Sequence, residues 1–121
     1  MLTTKETGDE AETLAAQYLV AQGYEILERN WRFQHLELDI VARKGPMLVI
    51  AEVKSRAGNY VVEPQLAVNR SKQLLIISAT NAYLNKKNLD LEVRFDIISI
   101  VFYRAGHKLE HIENAFYPRV R

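Results

Sequence analysis

The chain has 121 residues, 48% hydrophobic and 26% charged, with a net charge of +1 and no cysteine. That length suits one domain, residues 1–121, burying roughly two-thirds of the surface its unfolded form exposes. The composition excludes disulfides and thiolate metal sites, offers no apolar run near the ~20 residues that span a bilayer, and gives no global field that announces a nucleic-acid binder. Nor does the N-terminal stretch, Met1-Leu-Thr-Thr-Lys-Glu, have the apolar core and cleavage site of a signal peptide, so a cytoplasmic protein without membrane contact is expected.

Residues 8–22 predict an amphipathic helix, with Ala11, Leu14, Ala15, Tyr18 and Leu19 forming one apolar stripe. Thr7 and Glu10 have the spacing of a capping box, and Gly23 is placed to end the helix. Glu12 sits at the border of the stripe, where it can lean over a sheet face or remain a surface acid. Tyr24 to Phe33 reads as a strand, with Trp31 more suited to the core than to stacking on a base. Two further strands follow, joined by a turn at Lys44-Gly45-Pro46. Ser55 to Glu63 is expected to be a loop, with Tyr60 as a base-stacking candidate. A helix opened by Pro64 should run to about Lys86, with a break near Asn69 and a stripe of Leu75, Ala79, Ala82 and Tyr83. Arg70 and Lys72 near its start, with Arg56 in the preceding loop, are candidates for phosphate contact; for the first two, simple solvation is the alternative. Glu92 to Tyr103 is the strongest remaining strand, and strand–helix–strand implies a parallel pairing with a right-handed crossover. Lys108 to Glu113 makes a short final strand. The order α-β-β-β-α-β-β describes an α/β domain with a mixed sheet.

The stretch that gathers chemistry is the second and third strands. A hairpin symmetric about Gly45-Pro46 sets Arg43 opposite Leu48, Val41 opposite Ile50, Asp39 opposite Glu52 and Glu37 opposite Lys54. Alternation would then bring Glu37, Asp39, Glu52 and Lys54 onto one face. Opposed carboxylates weaken a sheet, and a bound cation turns that penalty into coordination. Taken singly, each acid is an ordinary residue of a solvated strand face, and Glu37 with Lys54 could be a plain ion pair. Oxygen-only ligands suit Mg²⁺ or Mn²⁺ rather than zinc, and a lysine two residues beyond a ligand carboxylate falls on the same face. Metal-assisted hydrolysis of a phosphodiester is the natural reaction for such a set. Asp96 is expected to pair with Arg94 structurally, and His35, His107 and His111 lack ligand spacing and read as surface residues.

Asp39, Glu52-Val-Lys54 and the preceding Glu12 resemble the PD-(D/E)XK nuclease superfamily, whose restriction endonuclease-like core is α-β-β-β-α-β. More closely, the chain resembles the small bacterial YraN-like family, whose members are predicted endonucleases. That likeness runs through Glu12-x-x-Ala-Ala-x-Tyr-Leu19, Gly23-Tyr24, Arg29-Asn30, Glu37-x-Asp39, Glu52-Val-Lys54, Lys72, Arg94-Phe-Asp96 and Asn114-Ala-Phe116. It departs at Ala11, where the family usually has glycine, and at Leu38, where the superfamily has proline. The resemblance implies Asp39 and Glu52 as metal ligands, with the Val53 carbonyl as a third. It implies Glu12 as a helix acid near the metal and Lys54 as the catalytic lysine. The expectation is a Mg²⁺- or Mn²⁺-dependent nuclease acting on DNA, including branched DNA. The alternative is a nucleic-acid- or partner-binding module that keeps the fold without turnover. So small a domain has little surface for wrapping DNA, which makes a homodimer the expected assembly.

Overall fold

The computed structural model describes residues 4–58 and 68–118. Its elements are α1 (Thr4–Ala21), β1 (Glu25–Phe33), β2 (Leu36–Lys44), β3 (Met47–Ala57), α2 (Arg70–Lys87), β4 (Glu92–Tyr103) and β5 (Gly106–Phe116). The strands make one five-stranded sheet in the order β1-β2-β3-β4-β5. Only β3 and β4 run parallel; the other neighbours are antiparallel. This is the mixed α/β architecture expected, an α-β-β-β-α-β core with an added C-terminal strand. That strand runs well beyond Lys108–Glu113, to eleven residues. The expected helix start at Pro64 and the stacking candidate Tyr60 lie outside the described residues.

Local chemistry explains where the elements stop. Gly23 adopts φ +93°, and the Gly23 and Tyr24 N–H groups donate to the Val20 and Leu19 carbonyls at 3.0 and 2.9 Å. That is a Schellman end, as the glycine foretells. Asn88 does the same for α2 at φ +52°, with the Leu89 N–H donating to the Leu84 carbonyl at 2.9 Å. At the other end of α2, Asn69 is the N-cap, its side chain accepting from the Lys72 N–H at 2.9 Å. The first helix begins at Thr4, so Thr7 is already helical and the expected capping box does not form. β3 continues to Ala57, so Ser55–Ala57 belong to the sheet rather than to a loop.

The helices cover opposite faces of the sheet. On one side Ala11, Ala15 and Leu19 of α1 pack on Ile40, Ala42, Val49, Ala51, Ile98 and Ile100. On the other, Ile76, Ala79 and Tyr83 of α2 pack on Leu38, Val41, Leu48, Ile50, Phe95 and Ile97. Ile98 and Ile100 are wholly excluded from solvent, and cutting either to alanine costs ~2–5 kcal/mol. The stripe of α2 is rotated from the one expected: Ile76 is buried while Leu75 is 48% exposed. Small alanines at 11 and 15 let α1 lie close to the sheet, which carries Glu12 toward it.

Candidate functional site

Gly45 and Pro46 form a two-residue turn, with Gly45 at φ +59° supplying the positive angle that a hairpin's first central position demands. From there the β2–β3 ladder runs from Lys44↔Met47 through Arg43↔Leu48 and Val41↔Ile50 to Ile40↔Ala51. β3 then continues against β4 as far as Ala57↔Phe102. Where the hairpin ladder ends, the Asp39 carboxylate accepts from the Val53 N–H at 3.0 Å. A side chain there takes the place of a backbone acceptor, and Asp39 is fixed beside Glu52.

Glu52 is 4% exposed and its carboxyl lies within hydrogen-bonding reach of Asp39. Burial first, then the Asp39 charge and the hydrogen bond to it, push the Glu52 carboxyl well above the usual carboxylate range. Lys72 and Lys54 oppose that shift. Lys72 comes from the first turn of α2 and brings its Nζ to 3.8 Å from Glu52. Thus a residue expected to touch phosphate also lies beside the acid pair. Alternation along β3 sets Glu52, Lys54 and Arg56 on the α2 side, because Met47, Val49, Ala51 and Val53 all belong to the α1 side.

Glu12 approaches from the other layer. Its pKa rises to about 7, through burial first and the Asp39 charge second, with Glu37 adding and Arg29 and an Asn30 hydrogen bond opposing. Glu12 Oε1 is buried with no hydrogen-bond partner. That an α1 acid and a β3 acid on opposite faces both feel Asp39 has a local cause. Leu38 packs on the α2 side and Ile40 on the α1 side, so strict alternation breaks at Asp39. Across β1, between the pairs Arg29↔Ile40 and Trp31↔Leu38, Asn30 stands in the left-handed region at φ +52°. The switch places Asp39 between the layers.

The same switch corrects the expected face. Leu36 and Leu38 both belong to the α2 side, which turns Glu37 toward α1, where it pairs with Arg32 at 3.7 Å rather than lying with Lys54. Arg70 reaches the chain's end, donating to the Tyr117 carbonyl at 3.0 Å and to Gln73. Trp31 packs edge-on against Tyr83 at 5.1 Å between centroids, in the α2-side core as expected.

A second polar cluster lies on the α1 side. Asp96 is fully buried and receives Arg94 at 2.8 and 2.9 Å, the Asn114 N–H at 3.0 Å and His111 Nε2 at 2.7 Å. His111 is therefore not a surface residue; its Nδ1 meets the Tyr18 hydroxyl at 3.0 Å. Burial pushes the Asp96 carboxyl up, but the hydrogen bonds from His111, Arg94 and Asn114 outweigh it and leave the pKa lowered. Arg94 also meets Glu113 at 2.9 Å and the Tyr24 hydroxyl at 2.5 Å. This cluster ties α1, β4 and β5 together, the structural role expected of Asp96.

A sheet bearing a buried Glu52 beside a part-buried Asp39 at the end of a hairpin ladder, with lysines from β3 and α2 near them, defines a mixed α/β domain with an acid pair on its sheet. Uncharacterised protein family UPF0102 matches residues 11–100, and the chain belongs to that family. A UPF0102 protein of Parabacteroides distasonis is 40% identical over the whole of both chains. One from Christiangramia forsetii is 44% identical across 97% of this chain and 98% of its own. A third, from Geobacter metallireducens, is 46% identical across 95% of each.

Among the described residues no helix is long and apolar enough to cross a membrane. Among the same residues no group of three or more His, Asp or Glu side chains gathers closely enough to hold a metal ion alone. Asp39 and Glu52 are nonetheless the donor set a hard cation uses, because Mg²⁺ takes one or two carboxylates and completes its shell with water and substrate phosphate. The raised Glu52 and the unpartnered Glu12 oxygen both neighbour Asp39, and positive charge at Asp39 would relieve both.

Proposed function

We propose that this chain is a Mg²⁺- or Mn²⁺-dependent phosphodiester hydrolase of the PD-(D/E)XK class, acting on DNA in the cytoplasm, branched or structured DNA included. The observation that carries the reading is the Asp39–Glu52 pair: a buried and a part-buried carboxylate held together, with the Glu52 pKa raised although Lys72 and Lys54 oppose the shift. Asp39 and Glu52 would hold the metal, and Glu12 approaches Asp39 from the α1 side. When bound, the cation supplies Lewis acidity toward the phosphate and lowers the pKa of a nearby water. Asp39, pinned by the Val53 N–H, keeps its carboxylate oriented without relying on the ion. Lys54, two residues past Glu52 on the same face, donates to the attacking water or to a non-bridging phosphate oxygen and offsets charge as it builds. Lys72 holds Glu52 in place and contributes positive charge where the phosphate enters; Arg56, two residues beyond Lys54, extends that charge along β3. Water attacks phosphorus and gives up a proton to solvent, the bond to the leaving sugar oxygen breaks, and that oxygen takes up a proton from solvent to leave as an alcohol.

A second reading, a nucleic-acid-binding or partner-dependent module without turnover, draws on one observation: Lys72 already sets a cation 3.8 Å from Glu52. The two readings part on cleavage of labelled linear, single-stranded, flap and four-way-junction DNA in Mg²⁺ and Mn²⁺, with chelator controls. Hydrolysis by the wild type that vanishes in Asp39→Ala is the expected outcome. No cleavage of any substrate, with equal DNA binding by both proteins, would favour the binding module.

A further inference from the structure

On the α1 side, where β3 and β4 end and β5 begins, lies a cavity of about 680 Å³. It is lined by Glu10 of α1 and by Phe102, Tyr103, Arg104 and His107 of the β4–β5 turn. Its volume falls within the range of small-molecule sites. Phe102 and His107 set their rings 6.2 Å apart at 53°, making an aromatic wall. Tyr103 is 51% exposed, yet its ring is seated: it lies over Gly58, where an added Cβ would collide with the ring and come within 3.2 Å of the Phe102 carbonyl oxygen. A partly buried phenylalanine and an exposed histidine ring beside an arginine and a carboxylate are the ingredients of base recognition. Stacking takes the π-face, the carboxylate accepts from a base N–H, and the guanidinium takes phosphate.

The position also matters. Lys54 pairs with Ser99 and Ala57 with Phe102, so the cavity begins about 10 Å along the strand from the lysine proposed to face the scissile phosphate. It opens on the opposite face of the sheet, at the carboxyl end of the parallel pair.

We propose that this cavity is a nucleotide subsite. An unpaired base stacks on Phe102 and His107, its edge meets Glu10, and Arg104 binds its phosphate. The chemistry is that of a nucleotide, whether free or part of a displaced strand. Only the displaced-strand source rests on the nuclease reading.

The test titrates ¹⁵N-labelled full-length protein, in chelator, with a deoxynucleoside monophosphate, with inorganic phosphate and with a single-stranded oligonucleotide. Wild type is compared with Arg104→Ala and Glu10→Gln, whose unchanged spectra elsewhere report folding. Shifts clustered at Phe102–His107 with the nucleotide, and weakened about tenfold in Arg104→Ala, are expected. Stronger perturbation of the same residues by the oligonucleotide assigns the ligand to a strand; perturbation by the mononucleotide alone assigns it to a free nucleotide. No perturbation there, the same response to phosphate alone, or shifts unaffected by Arg104→Ala would overturn the subsite. Failure here with metal-dependent cleavage intact removes only the subsite. Binding here with no cleavage removes only the hydrolase.

Discussion

Two buried carboxylates stand next to each other in the β3–β4 register, with Ala51 beside Asp96 and Glu52 beside Ile97, and they point to opposite faces. Asp96 has three hydrogen-bonding partners and a lowered pKa. Glu52 faces another carboxylate and has a raised one. The same residue chemistry, at nearly the same depth in one sheet, is solved on one face and left unsolved on the other. A carboxylate balanced by arginine, histidine and a backbone N–H is fixed for stability. One held against a like charge keeps a raised pKa even with Lys72 3.8 Å away.

The contrast predicts opposite responses to mutation. Asp96→Ala should have the largest effect, ~3–5 kcal/mol of lost stability by chemical denaturation, because it strands Arg94 and His111 around an empty acceptor. A loss below ~1 kcal/mol would show that the network is ornamental. Glu52→Gln should change stability by no more than ~1 kcal/mol near neutral pH without metal, since a carboxyl with its pKa raised to about 8 is already mostly protonated there and the amide mimics it, while abolishing the proposed cleavage. A strongly destabilised Glu52→Gln would make the acid pair structural after all. The smallest effect belongs to Arg32→Ala, which breaks an exposed ion pair with Glu37 and should cost ~0–1 kcal/mol.

Glu12 and Asp96 should also titrate in opposite directions. The pKa of Glu12 is raised from 4.5 to about 7, so the stability linked to its proton is present below 4.5 and is lost as pH climbs through 7 in metal-free protein. Glu12→Gln should flatten that slope. Asp96, with its pKa lowered from 3.8, contributes stability above that value which disappears as pH falls through the folded pKa. Denaturation midpoints followed from pH 3 to 9 separate the two limbs; a Glu12→Gln protein with an unchanged neutral limb would contradict the assignment.

Much of this was legible in the sequence, and the rest failed for identifiable reasons. The hairpin register followed from Gly45-Pro46 and two alternating apolar strands, and the pairs Val41↔Ile50 and Arg43↔Leu48 agree with it. The face of Glu37 did not follow, because alternation breaks at Asp39 opposite a left-handed Asn30. Asparagine is enriched in that conformation, so Arg29-Asn30 inside an apparent strand was the available signal. The α2 stripe was misplaced because Leu74-Leu75-Ile76-Ile77 offers apolar residues in every direction, and packing on β2 selected Ile76. The burial of His111 depends on Asp96 and Tyr18, 15 and 93 residues away, and no local pattern announces that. Lys72 beside Glu52 is likewise a tertiary contact that no local pattern announces.

Thermal denaturation in rising Mg²⁺ and Mn²⁺ tests most directly whether the Asp39–Glu52 pair is a metal site. Binding to the folded state stabilises by ~2.7 kcal/mol at a hundredfold excess over Kd. The wild-type midpoint should climb with either ion, and the climb should vanish in Asp39→Asn, which keeps an acceptor for the Val53 N–H. A midpoint indifferent to both ions in the wild type would contradict the account and leave Asp39 and Glu52 as a pair held together by a shared proton.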